Sequence, residues 1–215
     1  MSNESLSQFA SFTAIKQFID IEQKHRNLEW LKQALAMAIE VELSTLPPYL
    51  CAWWSIIDPN TEAANIIKSI ILEEMLHMGL VCNMLTAIGG TPRITIPKYP
   101  GPLPGNINPS LKVYLSGLTK DYLKNIFLEI EKPEKPIEVR EIQPLKFAFF
   151  LVKDAPVQTY PTIGAFYDEI LSTFKYLNPQ INEKNQLIAK HISLYKIEKI
   201  DDVEKAITEI KQQGD

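Results

Sequence analysis

Apolar residues recur at intervals of three and four in two long stretches of the chain, which is the spacing of one helix face. In the first stretch, about residues 27–46, the stripe consists of Leu28, Leu31, Leu35, Ala38, Glu42 and Thr45. In the second, about residues 61–88, it consists of Ile67, Ile70, Ile71, Glu74, His77, Met78, Val81 and Leu85. We predict a pair of core helices whose buried faces carry a few ionisable side chains.

Prolines and glycines predict where these two helices end. Pro47 and Pro48 lack amide hydrogens, so the first helix should kink or stop there, before a further apolar helical piece at 49–57. Asp58-Pro59-Asn60-Thr61 is a turn with a helix-start signal, and Gly89-Gly90 ends the second helix. Residues 27–88 therefore form the predicted core helix pair.

The segments on either side of this pair carry weaker patterns. Residues 1–26 predict an N-terminal covering segment with a short amphipathic helix. Residues 89–161 predict irregular connections with one helix at about 119–131, and the apolar run at 145–152 fits no single element. Six prolines within 91–110 forbid regular structure, so this stretch either covers a site or is a stiffened surface connection.

The C-terminal segment, residues 162–215, predicts two more helices. Thr162 is an N-cap for a helix to about Tyr176, and a capping-box pattern begins a last helix at about 202–213. No repeat or second domain is evident. We predict a single all-α domain over 1–215, a helical bundle with long proline-rich connections.

Composition and charge exclude several classes of function. The net charge of −4 lacks the basic excess that nucleic-acid binding requires. Cys51 and Cys82 lie in apolar surroundings outside any CxxC pair, which is typical of buried thiols in a reducing compartment. The N-terminus lacks a signal-peptide pattern, and no uncharged apolar run is long enough to span a membrane. We expect a soluble cytoplasmic protein with no nucleic-acid or membrane partner.

The candidate chemistry lies on the two predicted core helices. Glu74 and His77 form a Glu-x-x-His pair, one turn apart on the same helix face. Di-metal sites in helical bundles combine such a pair with a Glu from a neighbouring helix, which Glu42 would supply. A mixed oxygen and nitrogen ligand set suits iron or manganese. Glu42, Glu74 and His77 are therefore the predicted metal ligands.

The same three residues also allow a purely structural interpretation. A buried carboxylate or imidazole needs a partner, because its unpaired burial costs several kcal/mol, on the order of 2–7 for a neutral polar group. A hydrogen-bonded Glu74–His77 pair, or an ion pair with a lysine, would meet that need.

Other acidic and histidine residues compete for ligand roles. Glu40 is out of phase with the apolar stripe and should be solvated, whereas Glu73 borders the stripe and could accept a hydrogen bond from a ligand. His25 and His191 are expected outside the core helices. A complete di-metal bundle uses two Glu-x-x-His pairs, so the sequence predicts half of such a site.

Several sequence blocks resemble a known family. They are Glu42-Leu-Ser-Thr-Leu-Pro-Pro-Tyr-Leu, Glu73-Glu-Met-Leu-His-Met, Asn83-Met-Leu-Thr-Ala-Ile-Gly-Gly-Thr-Pro, Leu128-Glu-Ile-Glu-Lys-Pro, Thr162-Ile-Gly-Ala-Phe-Tyr and Gln212-Gln-Gly-Asp. Together they resemble the ferritin-like domain of the iminophenyl-pyruvate dimer synthase family, over roughly residues 28–215. That family couples imines of aromatic 2-oxo acids in pathways to bisindole-type pigments.

The resemblance implies a ferritin-like bundle with Glu42, Glu74 and His77 at metal-ligand positions. It also implies an oxidoreductase with mono- or dinuclear iron, or manganese, acting on a small organic substrate such as an aromatic 2-imino acid. Ala165 stands where the family pattern has an acid, and family members continue beyond Asp215 into a helix bearing His. We therefore keep an alternative, a catalytically degenerate, metal-free scaffold that serves as a binding or assembly module. A homodimer or a partner chain could also supply the further ligands.

Overall fold

The computed structural model describes residues 13–131 and 162–213, and regular structure within them is helical. The first three helices are α1 (Ile15–Ile19), α2 (Leu28–Trp54) and α3 (Glu62–Ala87). Helix α4 consists of α-helical Lys120–Tyr122, a π-helical turn at Leu123–Phe127 and α-helical Leu128–Ile130. Helices α5 (Ile163–Leu177) and α6 (Ile200–Gln213) follow. The predicted all-α fold is confirmed.

Side-chain caps explain where the main helices begin. Each cap oxygen accepts a hydrogen bond from a backbone amide of the first turn, which would otherwise lack an acceptor within the helix. The caps are Asn27 for α2, Thr61 for α3, Thr119 for α4 and Thr162 for α5. The cap predicted at Thr162 is thus present.

Four of the helices form the bundle. Helix α2 packs on α3 and α5, and α6 packs on α5 and α3, so each of the four has two neighbours. The N-terminal half of α2 shares an apolar cluster with the C-terminal half of α3, and their other halves share a second cluster. This pairing makes α2 and α3 antiparallel, and it confirms the core helix pair predicted from the sequence.

Helix α2 does not stop at Pro47 and Pro48, contrary to one of the two outcomes predicted for these prolines. It continues to Trp54 with both prolines inside it. Pro48 has no amide hydrogen to donate to the carbonyl of Ser44, four residues earlier. The hydroxyl of Tyr99 donates to that carbonyl instead, at 2.6 Å. The proline-rich segment therefore replaces the donor that the helix lost.

The N-terminal and proline-rich segments lie together against the bundle. Ile15 and Phe18 of α1 are buried, and the Ile15 amide donates to the Gly105 carbonyl at 2.9 Å. Residues 97–106 also line a cleft of about 510 Å³ with Ser44, and none of Glu42, Glu74 and His77 lines it. The predictions for residues 1–12 and 145–152 fall outside the described residues.

Helix α3 is long and apolar enough to cross a membrane by length and composition. However, 61% of its most apolar window is buried inside the fold, as in the core helix of a bundle. The cytoplasmic location remains a prediction.

Candidate metal centre

Glu42 lies near the middle of α2, on the face that packs against other helices. The residue is only 5% exposed, and the buried residues around it in the helix are mostly apolar. The hydroxyl of Tyr167, from α5, donates a hydrogen bond to Glu42 Oε1. The other carboxylate oxygen, Oε2, lies 3.6 Å from His77 Nδ1. A buried tyrosine therefore fixes the direction in which this carboxylate faces.

Glu74 and His77 lie one turn apart on α3, opposite Glu42. Glu74 Oε2 accepts a hydrogen bond of 2.7 Å from Thr45 Oγ1, so α2 also orients this carboxylate. One ligand atom from each of Glu42, Glu74 and His77 lies within 4.8 Å of the others. The structure thus brings together the three residues singled out from the sequence.

The purely structural interpretation of this trio has less support. Within residues 13–131 and 162–213, the lysine ion pairs involve surface carboxylates and include neither Glu42 nor Glu74. Among the described contacts of His77, its Nδ1 lies 3.6 Å from Glu42 Oε2, which exceeds hydrogen-bond length. Among the described residues, a lysine ion pair therefore does not explain the burial of Glu42 and Glu74.

The electrostatics of the site favour a bound cation. Burial, and next the charge of Glu42, raise the pKa of Glu74 to about 8. A buried and a half-buried carboxylate this close are not both ionised without a free-energy cost, which a divalent cation between them would remove. Burial, with the charge of Glu42 next, raises the pKa of Tyr167 well above its ordinary value, so this phenol stays protonated as a donor.

The donor set also fits a metal of the iron or manganese type. Bonds of about 2.1 Å to oxygen and nitrogen keep two ligand atoms of one ion at most about 4.2 Å apart. The observed limit of 4.8 Å therefore requires side-chain shifts of less than about 1 Å to bind an ion. Two carboxylates and one imidazole are ligands that iron and manganese accept.

Comparison with known proteins agrees with this bundle. A family model described as Ferritin-like matches residues 35–215, which include all three candidate ligands. The chain belongs to this family. The crystal structure of a ferritin-like protein from Caulobacter vibrioides has a TM-score of 0.62 and 25% sequence identity to the chain. The match covers 85% of this chain and 66% of that one, so this ferritin-like chain spans just under two thirds of its neighbour. No curated protein matches significantly.

Other histidines and acids of this ferritin-like protein lie outside the trio. Glu22 and His25 repeat the Glu-x-x-His spacing, but both are exposed in the turn before α2. His191 is exposed in a short 3-10 turn. Glu40 and Glu73 are partly buried. The half-site predicted from the sequence therefore gains no second histidine from the described residues.

Helix α5 contributes a phenol rather than an acid to the ferritin-like centre. Its Asp168 is exposed and pairs with Lys211 at 2.6 Å. Its Glu169 pairs with the buried Arg26. Ala165 carries no ligand atom. The two acids nearest to Ala165 are thus engaged in other contacts.

Two residues near the trio were not predicted from the sequence as part of the site. Glu131, at the end of α4, accepts a hydrogen bond from the hydroxyl of the fully buried Tyr49 of α2. Burial raises the pKa of Glu131, and the charges of Glu73 and Glu42 raise it further. Tyr49 could have been predicted near the site from its spacing, because it follows Glu42 by seven residues and so lies on the same face of α2.

Proposed function

We propose that this ferritin-like protein binds iron or manganese through Glu42, Glu74 and His77, and that the metal serves to oxidise or couple a small organic molecule. The observation that carries the proposal is the convergence of three ligand atoms within 4.8 Å, with Glu42 and His77 each 5% exposed. Burying such groups has a free-energy cost that folding alone does not explain.

Each neighbouring side chain has a defined task at such a centre. Iron or manganese bound there would supply Lewis acidity and one-electron redox chemistry. Tyr167 holds Glu42 by one oxygen, so that the other faces His77. Thr45 holds Glu74 from α2. The apolar clusters on both sides of the trio exclude bulk water and strengthen the electrostatic interactions within it.

The substrate class in this proposal comes from the sequence resemblance to iminophenyl-pyruvate dimer synthases. It suggests an aromatic 2-imino acid. The blocks around Glu42 and His77 carry that resemblance, and both belong to the centre itself. A ferritin-like fold alone is compatible with many activities.

A second candidate function is a non-catalytic scaffold for binding or assembly. The observation that favours it is the lack of a carboxylate from α5. Ala165 offers none, and Asp168 and Glu169 pair with Lys211 and Arg26. A centre with too few ligands would bind metal weakly, and the protein would then keep the fold without the chemistry.

Metal binding separates the two candidates. We expect purified protein to contain iron or manganese, or to take up Fe²⁺ anaerobically, as measured by elemental analysis and calorimetric titration. His77→Ala should weaken binding by at least about 10-fold, since it removes a ligand. His25→Ala is the matched control, because His25 is an exposed histidine outside the trio, and it should bind as wild type does.

Activity is a second and separate measurement. With Fe²⁺ bound, we expect dioxygen uptake that depends on an added aromatic 2-imino acid and that His77→Ala lacks. Wild-type protein without measurable metal affinity would overturn the proposal in favour of the scaffold. Metal binding without any substrate-dependent turnover would overturn only the substrate class.

A further inference from the structure

A cleft lies on the side of α2 that faces away from the metal centre. Residues 97–106 form its wall, and Thr13, Ala14 and Ser44 complete its lining. Ser44 follows Glu42 by two residues, or about 200° around the helix axis, so the two side chains leave α2 in nearly opposite directions. The cleft volume of about 510 Å³ is typical of small-molecule pockets, which measure about 300–1,000 Å³. The cleft is therefore large enough to hold a small ligand apart from the trio.

Hydrogen bonds anchor the wall of the cleft to the rest of the protein. The Tyr99 hydroxyl donates to the Ser44 carbonyl at 2.6 Å, and the Gly105 carbonyl accepts from an amide of α1 at 2.9 Å. Gly101 and Val113 exchange two backbone hydrogen bonds, of 2.9 and 2.8 Å. Prolines further restrict the backbone of the wall, at Pro97, Pro100, Pro102 and Pro104. A wall held in this way needs little ordering when a ligand binds, which favours affinity.

The floor of the cleft and its rim differ in polarity. Ser44, Leu103 and Gly105 are buried, so they form the floor. The Ser44 hydroxyl already donates to the Val41 carbonyl, at 2.7 Å, and offers the cleft no further hydrogen. Lys98 is exposed and lies at the rim. This arrangement suits a ligand with an apolar body and a polar group at one end.

The charge of the lining predicts the sign of that polar group. Among the described residues that line the cleft, Lys98 carries a charge and none is acidic, although the whole chain has 26 acidic residues and 22 lysines and arginines. Within residues 13–131 and 162–213, the ion pairs of lysines do not include Lys98. An ammonium group donates strong hydrogen bonds to a carboxylate. The rim therefore favours an anionic ligand.

We propose that this cleft binds a small aromatic carboxylate, with its ring against the proline and Tyr99 rings and its carboxylate on Lys98. The rings of the wall favour a flat aromatic body over a branched chain, because flat surfaces make more close contacts with each other. This site uses none of Glu42, Glu74 and His77. It is therefore independent of the proposed function, and either proposal can fail without the other.

Calorimetric titration of the full chain with indole-3-acetate and indole-3-acetamide tests the site. The two probes share one ring system and differ in the charge of the attached group. We expect wild type to bind the acetate at least about fivefold more tightly than the acetamide, and Lys98→Gln to reduce this preference to within about twofold. Lys68→Gln, at an exposed lysine of α3 outside the cleft, is the matched control and should keep the wild-type preference.

A variant of the lining tests where the ring binds. Ala14→Leu adds bulk at an extended position, with φ −133° and ψ 139°, that any residue adopts. It should weaken the binding of both probes by at least about fivefold. Removal of metal with a chelator should leave the affinities unchanged, because the trio does not line the cleft.

Three results would overturn the proposal. The first is a wild-type protein that does not bind indole-3-acetate measurably. The second is a preference for the acetate that Lys98→Gln retains in full. The third is acetate binding that disappears when metal is removed, since the probe would then bind at the metal centre. If Ala14→Leu fails to fold, the comparison of Lys98→Gln with Lys68→Gln decides the outcome.

Discussion

Glu74 is a carboxyl group whose charged form the fold disfavours in the absence of a cation. Burial and the charge of Glu42 raise its pKa from 4.5 to about 8. The Thr45 hydroxyl, which donates a hydrogen bond to Glu74, also lies 2.8 Å from the Glu42 carbonyl, an acceptor within α2. Removal of the Glu74 carboxylate therefore leaves Thr45 with a hydrogen-bond acceptor.

This shift predicts how the stability of metal-free protein depends on pH. Below about pH 4.5 Glu74 is protonated in both states, whereas between 4.5 and 8 the unfolded chain ionises and the folded protein keeps the proton. The free energy of unfolding should therefore fall as pH rises through this window. Glu74→Gln should remove that loss and be more stable than wild type at pH 8 by roughly 1–3 kcal/mol, allowing for partial solvent screening.

Chelator-treated protein, melted or unfolded in denaturant at pH 5 and pH 8, provides the measurement. Glu73→Gln is the control, since it makes the same change one residue away. Glu74→Leu should also be tolerated, because replacing a buried charge by an apolar group is often neutral or stabilising. A structural role for Glu74 would give the opposite result, a loss of about 1–3 kcal/mol at both pH values.

At the residue scale, the sequence predicted those site residues that interrupt a regular helical pattern of apolar positions. Glu42, Glu74 and His77 stand out because each occupies an apolar position of a long helical stripe. Glu131 could not be found in that way, because the π turn shifts the phase of α4 just before it. Tyr167 falls on an apolar stripe as an ordinary core residue would, and its hydrogen bond to Glu42 depends on how α5 docks.

At the scale of single elements, α2 depends on a tyrosine from outside the helix. Pro47 and Pro48 remove two amide donors from the turn that follows Glu42 and Thr45. Tyr99 satisfies the Ser44 carbonyl left without its helical donor. Because α2 carries Glu42, Thr45 and Tyr49, this one bond supports the helix in the middle of the site.

A double-mutant cycle between Tyr99 and Pro48 measures that support. Tyr99→Phe should destabilise the protein by about 1–2 kcal/mol, because it leaves a buried carbonyl unpaired. In the Pro48→Ala background the amide of residue 48 can donate to Ser44, so the same change should cost less. Chemical denaturation of the four proteins gives the coupling energy. Tyr176→Phe, at an exposed tyrosine, is the control. Equal cost in both backgrounds would show that Tyr99 acts elsewhere.

The elements themselves were largely predictable, because caps and stripes are local. The cap at Thr162 and the long helices α2 and α3 follow from residues close in sequence. The continuation of α2 through two prolines was not predictable, because the compensating donor comes from Tyr99, more than fifty residues later. The rule that proline interrupts a helix considers the helix alone. Here a residue from another segment replaces the missing donor, so the helix continues.

At the scale of the whole molecule, the sequence predicted the all-α class and the ferritin-like family. Both follow from helical periodicity together with sequence blocks that lie on α2, α3 and α5. Only some residues of the site could be predicted from the sequence, because a ligand set assembled from several helices depends on how those helices pack. The second Glu-x-x-His pair among the described residues, Glu22 and His25, is exposed before α2 and does not reach the trio.

At this scale, the burial of the trio also indicates whether one chain or two supply the ligands of the centre. Two chains related by a two-fold axis could pool their ligands into a four-Glu, two-His set. Such sharing requires the trio to face an open surface of each chain. Glu42 and His77 are instead each 5% exposed, and Tyr167 of the same chain covers Glu42. A second chain would have to displace α5 to reach them.

We therefore predict that metal binding does not require dimerisation. Light scattering and elemental analysis on the same chromatographic fractions should give the same metal-to-chain ratio for every oligomeric state, across a wide range of protein concentration. His77→Ala should lose metal without a change in oligomeric state, because His77 lies inside one bundle. Metal confined to dimeric fractions, and lost together with the dimer in His77→Ala, would instead establish a shared centre. In that case α5 must move away from Glu42, and Tyr167 would become exposed to solvent on dimerisation.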